Sequence, residues 1–407
     1  MIVKRINKIL VVIVGLVLFA ACFLTVEAQA AAFVEKKPEG LMVTATKGKI
    51  AVSWEKVAGA QMYDVYRAKE VTPAVKAGSE GLAYAMGTYN ASRLRYKKIS
   101  ETAKTKLIVK KSAKGYDYHF YVVAKRMVVV NGNGTMERSQ RSNIRSTTMP
   151  LTGKSTIKNF LRTGISPMGS TLYIWGGGWN GFAGNNKAQK FKTGLSQTWR
   201  KFASKHPSDY DYTDYLLQRE KGLDCSGFVG NCVYNIMETS NGKRSYVTSA
   251  YYEGRYYAKL GLGKYASRAM AGKRKAGDIM CCATHVWICL GECKDGSAVV
   301  LHSSPPMVSL AGTPSRDGVK NSKAVKLARK YMKAYYPQQY AAYPNSIYRG
   351  NVYNTSYGRM RWKKSVLSDP EGYKGRTANT ILKDLFAERE KPAVDTAAQS
   401  SQVGKKK

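Results

Sequence analysis

The sequence predicts two folded units in one chain, an all-β sandwich followed by an α+β domain. Residues 38–149 alternate apolar and polar side chains in short runs separated by turn residues, which is typical of an antiparallel sandwich. Residues 155–385 instead combine a run with helical spacing near 229–237 with short strand-like runs around residues 285 and 302. The length of 407 residues accommodates both units.

Three runs with a period of two residues support the sandwich. They are Lys49–Trp54, Met62–Arg67 and Tyr116–Ala124. Turn signals, such as Lys-Gly at 47–48 and Asn-Gly-Asn-Gly at 131–134, separate strands. We therefore expect several short antiparallel strands over 38–149, followed by a linker over residues 145–153.

The pattern of this first unit is similar to a known module. Trp54, Ala-Gly-Ala at 58–60 and Tyr-x-Val-Tyr-Arg at 63–67 resemble a fibronectin type III domain, with a loop insertion at about 72–93. His119 lies among tyrosines on a predicted strand, and we expect a structural role for it.

The two ends of the chain carry their own signals. Residues 1–30 combine three basic residues, an apolar run from Ile9 to Val26 and Ala-Gln-Ala at 28–30, which predicts a cleaved secretory signal peptide. An uncleaved membrane anchor and a lipoprotein acylated at Cys22 are the alternatives. Residues 390–407 are small and polar and end in three lysines, so we expect a disordered tail. The predicted location is secreted, and either extracellular or associated with the cell wall.

The net charge is strongly positive and predicts a polyanionic partner. The chain carries +39, and +37 remains once residues 1–30, with three basic and one acidic side chain, are removed. No helix-turn-helix, zinc-finger or RNA-binding motif is present, and the export signal also argues against nucleic acid.

Residues 221–229 read as a loop that runs into a helix. Asp224 is a favourable N-cap residue, which places Cys225 in the first helical turn. The positive end of the helix dipole favours a thiolate there, so we expect the pKa of Cys225 to fall below about 8.5. Gly227 removes side-chain bulk near the sulfur, so that another backbone or a substrate can approach.

A nucleophilic cysteine needs a base, and two of the four histidines follow Cys225. His285 and His302 lie in short strand-like runs joined by a turn-rich segment at 291–296, which predicts one antiparallel hairpin. A helix-start cysteine, a base histidine and a third polar group form the triad of thiol acyl-transfer enzymes. We expect both rings on the sheet face towards the helix that begins at Cys225.

Four sequence blocks resemble those of the NlpC-type cell-wall cysteine peptidases, which are papain-like, and they occur in the family's order along the chain. The match spans about residues 155–310. Two departures are a longer link of roughly 45 residues before Asp224 and a tryptophan, Trp287, where the family commonly has glycine. The matching blocks are Tyr-x-Trp-Gly-Gly at 173–177, Asp-Cys-Ser-Gly-Phe-Val at 224–229, Gly-Asp at 277–278 with His-Val at 285–286, and the strand at 299–303.

The resemblance implies a papain-like α+β catalytic domain and a secreted peptidoglycan hydrolase. Members typically cut stem peptides between D-glutamate and the following diamino acid. The implied nucleophile is Cys225, the base is His285, and His302 orients His285.

By the same resemblance, Tyr173 lies near the oxyanion, and Asp224 and Ser226 belong to the oxyanion and substrate region. The implied partners are peptidoglycan and anionic wall polymers, with no cofactor; the membrane is a partner only through an uncleaved signal. A papain-like amidase that cuts the sugar–peptide amide and a catalytically silent wall-binding protein are the rival functions.

Six cysteines remain after the signal, and a free Cys225 leaves at most two disulfides. Cys281, His285, Cys289 and Cys293 invite a zinc interpretation if all four share one strand face, but their spacings do not form two ligand pairs. We expect small buried side chains instead and no metal.

The remaining segments have plainer predictions. The insertion at 179–221 is either a wall of the substrate groove or a solvated decoration, and His206 within it is not expected to be catalytic. Apolar residues at helical spacing predict an amphipathic helix over 324–335, ended by Pro337. Tyrosine-rich segments up to Trp362 are expected to supply closing strands.

Overall fold

The computed structural model describes residues 32–46, 49–71, 94–114, 116–130, 132–149, 155–178, 193–237, 246–267, 274–387 and 389. The predicted signal peptide, the 72–93 insertion, the C-terminal tail and residues 179–192 lie outside the described residues. None of the helices in the described ranges is long and apolar enough to cross a membrane.

The first domain consists of two antiparallel sheets. The first sheet has the order β1-β2-β5, and the second has the order β4-β3-β6-β7, with β8 also pairing with β6. Buried side chains from both sheets, such as Trp54, Val65 and Phe120, meet in one apolar core. The strands are β1 (Met42–Thr46), β2 (Lys49–Ser53), β3 (Met62–Val71), β4 (Lys97–Thr102), β5 (Lys106–Val109), β6 (Tyr116–Val130), β7 (Asn133–Arg141) and β8 (Arg145–Met149).

The last strand of the sandwich corrects the predicted linker. Residues 145–149 form β8 and are largely buried, because their side chains bond within the sandwich. The Thr147 Oγ1 accepts a hydrogen bond from the Ala45 N–H at 3.1 Å, and the Thr148 Oγ1 donates to Asp117 at 2.5 Å. His119 is buried in the same sheet, with its Nδ1 2.6 Å from the Ser146 hydroxyl.

The second domain is built on a six-stranded antiparallel sheet with the order β10-β15-β11-β12-β13-β14. A short parallel pair, β9 with β16, lies apart from it. The strands are β9 (Ser155–Thr156), β10 (Gly263–Ala266), β11 (Ile279–Cys281), β12 (Val286–Glu292), β13 (Ala298–Ser304), β14 (Met307–Gly312), β15 (Gly358–Trp362) and β16 (Leu367–Ser368).

Eight α-helices in the described ranges surround this sheet, together with short 3-10 turns. The helices are α1 (Ile157–Ile165), α2 (Gln197–Ala203), α3 (Cys225–Met237), α4 (Ala250–Lys259), α5 (Lys323–Tyr335), α6 (Pro337–Ala342), α7 (Val352–Thr355) and α8 (Ala378–Phe386). The 3-10 turns are Tyr212–Tyr215, Arg219–Lys221, Pro344–Ile347 and Tyr373–Gly375.

The two faces of the sheet belong to different apolar clusters. Ile288 and Leu301, which are paired across β12 and β13, lie in the main core with helix α3. Their neighbours Trp287 and Val300 point to the opposite face and pack in a smaller cluster with Tyr357. This division determines on which side each catalytic candidate lies.

The C-terminal segments agree with the sequence in one case and differ in another. The predicted helix is α5, and Pro337 begins the next helix, α6, at a position where its missing N–H is tolerated. The tyrosine-rich segment supplies only β15, which lies inside the sheet between β10 and β11 rather than closing it. Short helical turns precede β15, so the expectation of several closing strands is wrong.

The two domains contact each other through α1 and β1. The Ser155 hydroxyl donates to the Ala45 carbonyl at 3.1 Å, and the Asn159 side-chain amide donates to the Thr148 carbonyl at 2.9 Å. Arg200 of α2 also lies in ion-pair contact with Glu55 of the sandwich, at 3.5 Å. The sandwich is therefore bonded directly to the domain that carries the candidate site.

Candidate active site

Cys225 is the first residue of α3, and Asp224 caps the helix as the sequence predicts. The Asp224 Oδ1 accepts hydrogen bonds from the Gly227 N–H at 2.6 Å and from the Ser226 hydroxyl at 2.9 Å. These bonds satisfy one of the unpaired N–H groups of the first turn. Asp224 and Ser226 therefore bond to each other in this structure, and both are buried.

The glycine-rich turn after Trp175 packs directly against the start of α3. The Asp224 Oδ2 accepts from the Gly176 N–H at 3.1 Å, and the Asp224 N–H donates to the Gly177 carbonyl at 3.1 Å. A Cβ placed on Gly227 would lie 2.0 Å from the Gly177 oxygen. The close approach predicted at Gly227 is thus made by this turn, and only glycine permits it.

Tyr173 is brought to the cysteine by the same pairing. It forms an isolated bridge with Leu223, two residues before Cys225, and its N–H donates to the Pro306 carbonyl at 2.8 Å. Burial raises the pKa of the Tyr173 phenol, and the nearby Cys225 raises it further, which places the ring in the electrostatic range of the thiol.

The described part of the 179–221 insertion reaches this region. Its Tyr212 ring meets the Tyr173 ring edge-on, with 5.5 Å between the ring centroids, and the Tyr210 hydroxyl donates to the Tyr173 carbonyl. His206 lies in an aromatic cluster with Phe202 and Tyr215. The insertion therefore supports the Tyr173 segment, and its His206 lies among aromatic rings.

His285 and His302 are joined by a hydrogen bond. β12 and β13 form the predicted antiparallel hairpin, and the His285 Nε2 lies 3.0 Å from the His302 Nδ1. His302 is fully buried, whereas His285, which directly precedes β12, is partly exposed. The next residue, Ser303, donates through its hydroxyl to the Leu223 carbonyl at 2.7 Å, which ties β13 to the loop before the cysteine.

The Cys225 thiol lies beside the hairpin at the N-terminal end of β12. The Cys225 sulfur is in hydrogen-bonding range of the Val286 N–H, so it lies beside the residue that follows His285. Cys225 itself is 8% exposed. The site thus brings a helix-start cysteine to the strand end that carries the base candidate.

The expected orientation of the two rings is wrong. By the alternation of β12 and β13, both histidines share the face of Trp287 and Val300, opposite to the face that packs on α3. Helix α3 packs against the other face, and its first residue, Cys225, reaches the strand end at Val286. The Cys225 sulfur therefore reaches the hairpin at the end of β12, beside the Val286 N–H, and not across the sheet face.

The protonation states also differ from expectation. Burial raises the pKa of the Cys225 thiol, and the negative charge of Asp224 raises it further, although the sequence predicted a lowered value. Burial lowers the pKa of His285 to about 3, and the positive charge of Arg349 contributes. Burial lowers the pKa of His302 as well. Both shifts favour the neutral thiol and the neutral imidazole, because desolvation outweighs the helix dipole.

Two residues of the site were not identified from the sequence. The Tyr353 ring lies 5.7 Å from the His285 ring and 6.2 Å from the His302 ring, measured between centroids. Arg349 acts on both histidines through its charge. Neither residue belongs to a recognisable motif, because tertiary folding alone brings this segment to the hairpin.

Asp278 of the Gly-Asp block at 277–278 forms hydrogen bonds that hold strands of the sheet together. The Asp278 carboxylate accepts a bidentate pair of bonds from Arg361 of β15, at 2.8 and 2.6 Å, and is buried. The Asp278 carbonyl also accepts from the Cys289 N–H at 2.8 Å. These hydrogen bonds connect Asp278, which directly precedes β11, to β15 on one side and to β12 on the other.

The remaining cysteines do not form a shared site. Cys281 and Cys289 lie in the apolar clusters of opposite sheet faces, which rules out the single strand face that a zinc site would need. Cys293 is buried, and no described cysteine forms a disulfide. No group of three or more metal-ligating side chains is found in the described ranges.

Comparison with known proteins gives a partial likeness. No family model matches the chain, and no curated protein matches it. Solved structures that are similar to part of it are fibronectin type III-like domains. An Fn3-like protein from Clostridium thermocellum is 22% identical, with 27% of this chain and 91% of that chain covered and a TM-score of 0.17.

Two further structures give the same kind of match. A human fibronectin type III domain is 14% identical, with 30% of this chain and 80% of that chain covered and a TM-score of 0.19. A mutant of a protein named FN3tt is 20% identical, with 28% of this chain and 96% of that chain covered and a TM-score of 0.19. Because these TM-scores are low, the architecture of the sandwich rests on its own strand pairing.

Proposed function

We propose that this protein is a thiol hydrolase with a papain-like, NlpC-type catalytic domain. One observation carries the proposal. The thiol that begins α3 lies against the Val286 N–H, and the adjacent His285 bonds through its Nε2 to His302. A cysteine, a base and an orienting group in this order match the requirements of nucleophilic acyl transfer.

The hydrogen bond between the histidines supports a separate role for each ring nitrogen of His285. With its hydrogen on Nε2, His285 donates to the His302 Nδ1, and its own Nδ1 is left as the proton acceptor. As the Cys225 sulfur bonds to the scissile carbonyl carbon, the thiol proton moves to the His285 Nδ1. That nitrogen then protonates the leaving amine, which leaves a thioester on Cys225.

Water completes the reaction. It attacks the thioester carbonyl, and its proton passes to the His285 Nδ1. The carbon–sulfur bond then breaks to release the acid product, and the Nδ1 proton passes to the sulfur, which restores the thiol and the neutral imidazole. The Cys225 N–H lies in the first helical turn, where it has no acceptor within the helix, and is available to the oxyanion. Tyr173, beside the thiol, is the second candidate donor.

The neutral resting pair implies general-base catalysis. The raised pKa of the thiol and the lowered pKa of His285 both disfavour a preformed thiolate–imidazolium pair. Proton transfer must therefore accompany the attack on the carbonyl. Catalysis then depends on groups that stabilise the imidazolium and the oxyanion once substrate is bound.

The proposed substrate is the peptide stem of peptidoglycan, cut between D-glutamate and the following diamino acid. The four sequence blocks that resemble the NlpC-type peptidases support this substrate class. The net charge of +39 also suits anionic wall polymers. The secreted location and these wall partners are part of the same proposal.

Mass spectrometry of fragments released from purified wall tests the function. We expect fragments with a new D-glutamyl carboxyl end and a new amino end on the diamino acid. Free stem peptides cut at the sugar would instead identify the rival amidase. Intact wall after prolonged incubation with folded protein would favour a wall-binding protein without catalysis.

A further inference from the structure

Arg349 occupies an unusual place beside the catalytic candidates. It follows the 3-10 turn Pro344–Ile347, and its backbone N–H donates to the Gly312 carbonyl at the end of β14, at 2.9 Å. Tyr353 of α7 lies within the range of its charge and also packs against both histidine rings. The guanidinium therefore lies beside Tyr353 and within electrostatic range of both histidines.

The guanidinium has donors that no described residue satisfies. Its Nε and Nη2 atoms are buried, and neither has a hydrogen-bond partner within the described ranges. The groups whose charges act on it are the phenols of Tyr353 and Tyr357, and no described carboxylate forms an ion pair with it. Burying a cation without a hydrogen-bond acceptor costs free energy, so a bound anion would complete the hydrogen bonds of this guanidinium.

His302 is a second residue with an unsatisfied side-chain atom. Its side chain is fully buried, and its Nε2 has no partner within the described ranges. When the His302 Nδ1 accepts from His285, the hydrogen of the neutral ring is on Nε2, which makes this atom a donor. Arg349 and His302 thus offer buried donors beside the same tyrosine, Tyr353.

We propose that Arg349, with the His302 Nε2–H as a second donor, binds a substrate carboxylate close to the scissile amide. The proposal rests on the proposed function and specifies its substrate class. The planar fork of a guanidinium fits a carboxylate with two parallel hydrogen bonds. A D-glutamyl residue linked through its side chain carries such a group, because its α-carboxylate stays free and only the Cα, Cβ and Cγ atoms separate it from the scissile carbonyl.

The same contact links recognition to catalysis. The charge of Arg349 contributes to the low pKa of His285, so in the empty site it disfavours the imidazolium. A bound carboxylate offsets that charge and raises the pKa of His285, which makes this residue a stronger base only when the correct substrate is present.

Equilibrium binding to a variant that lacks the nucleophile tests the carboxylate site independently of turnover. The full chain with Cys225→Ala is titrated by calorimetry with a γ-D-glutamyl-diamino acid dipeptide and with its glutamyl α-carboxamide. We expect the carboxylate form to bind about tenfold more tightly, as one charge-assisted pair of bonds implies. Adding Arg349→Gln should reduce this preference to about twofold or less, and Arg349→Lys should keep part of it.

A matched control removes the same charge elsewhere. Arg329→Gln changes an exposed arginine on α5 that bonds to Asn321, and it should leave the preference at about tenfold. Equal affinities for both peptides in Cys225→Ala, or an unchanged preference after Arg349→Gln in a protein with unaltered thermal unfolding, would overturn the carboxylate site. Wild-type turnover is followed in parallel. Hydrolysis of both peptides at equal rates removes this proposal alone, whereas a carboxylate preference without any turnover removes the hydrolase function.

Discussion

His285 and His302 face different chemical demands although they form one hydrogen bond. His285 has to take a proton and release it, which near neutral pH requires an imidazole. His302 has only to accept a bond from the His285 Nε2, which a glutamine oxygen also does. Substitutions should therefore distinguish the role of His285 from that of His302.

We predict that His302→Gln keeps substantial activity, that His302→Ala loses more, and that His285→Gln loses roughly a hundredfold or more, because glutamine cannot accept the thiol proton. Initial rates on purified wall, compared at equal folded fractions, measure this. The roles are exchanged, or the triad is abandoned, if His302→Gln is as inactive as His285→Gln.

The environment of His285 also predicts its titration. Burial and the charge of Arg349 hold the pKa of His285 well below the usual 6.5, so the neutral imidazole should persist as the pH falls through 6.5. NMR titration of the ring protons in the Cys225→Ala protein measures this value directly. Arg349→Gln removes a positive charge and should shift the midpoint to higher pH. A His285 midpoint near 6.5 that does not respond to Arg349→Gln would show that the ring is solvated.

At this scale the sequence predicted the catalytic candidates but not the direction of their pKa shifts. Cys225, His285 and His302 follow from short motifs and from strand-like runs, which are local features. The pKa of Cys225 depends on burial and on Asp224 and Glu253, and Glu253 comes from a helix folded against α3. Arg349 is brought near the histidines by tertiary folding alone, so no local sequence pattern predicts its position.

The start of α3 and the glycine turn at 176–178 form one packed element. Asp224 bonds to both Gly176 and Gly227, and a Cβ on Gly227 would collide with the Gly177 carbonyl. The position of the thiol against the end of β12 depends on this backbone contact. The element is therefore sensitive to the addition of one methyl group.

Gly227→Ala should destabilise the protein by about 1–3 kcal/mol and lower activity further by displacing Cys225, because the rigid carbonyl cannot move aside cheaply. Thermal unfolding and wall hydrolysis are both measured. Gly375→Ala is the control, since nothing lies within 4 Å of a Cβ at that position and it should change neither quantity. Equal behaviour of the two variants would disprove the contact.

Periodicity predicts the elements of this domain better than their arrangement. Helix α5 and the β12–β13 hairpin follow from apolar spacing and turn residues. The insertion of β15 between β10 and β11 depends on pairings between segments nearly a hundred residues apart, which no local pattern encodes. The face on which the histidines lie depends on the register of β12 and β13, which includes a bulge between Cys289 and Gly291.

The charge of the whole molecule predicts how it finds its substrate. With a net charge of +37 once residues 1–30 are removed, binding to anionic wall polymers should weaken steeply with added salt, since exposed charges are screened beyond about 8 Å at physiological ionic strength. Co-sedimentation with purified wall between low and high salt measures this. Binding that does not change with salt would assign retention to a specific pocket.

The central claim is that Cys225 is the nucleophile of a wall hydrolase, and the same helix supplies the control. Cys232 lies two turns further along α3 and is buried. The decisive measurement is the rate at which wild type, Cys225→Ala and Cys232→Ala release peptide fragments from purified wall, with folding checked by thermal unfolding. We predict release by wild type and Cys232→Ala and none by Cys225→Ala. Release by folded Cys225→Ala at the wild-type rate would contradict the claim.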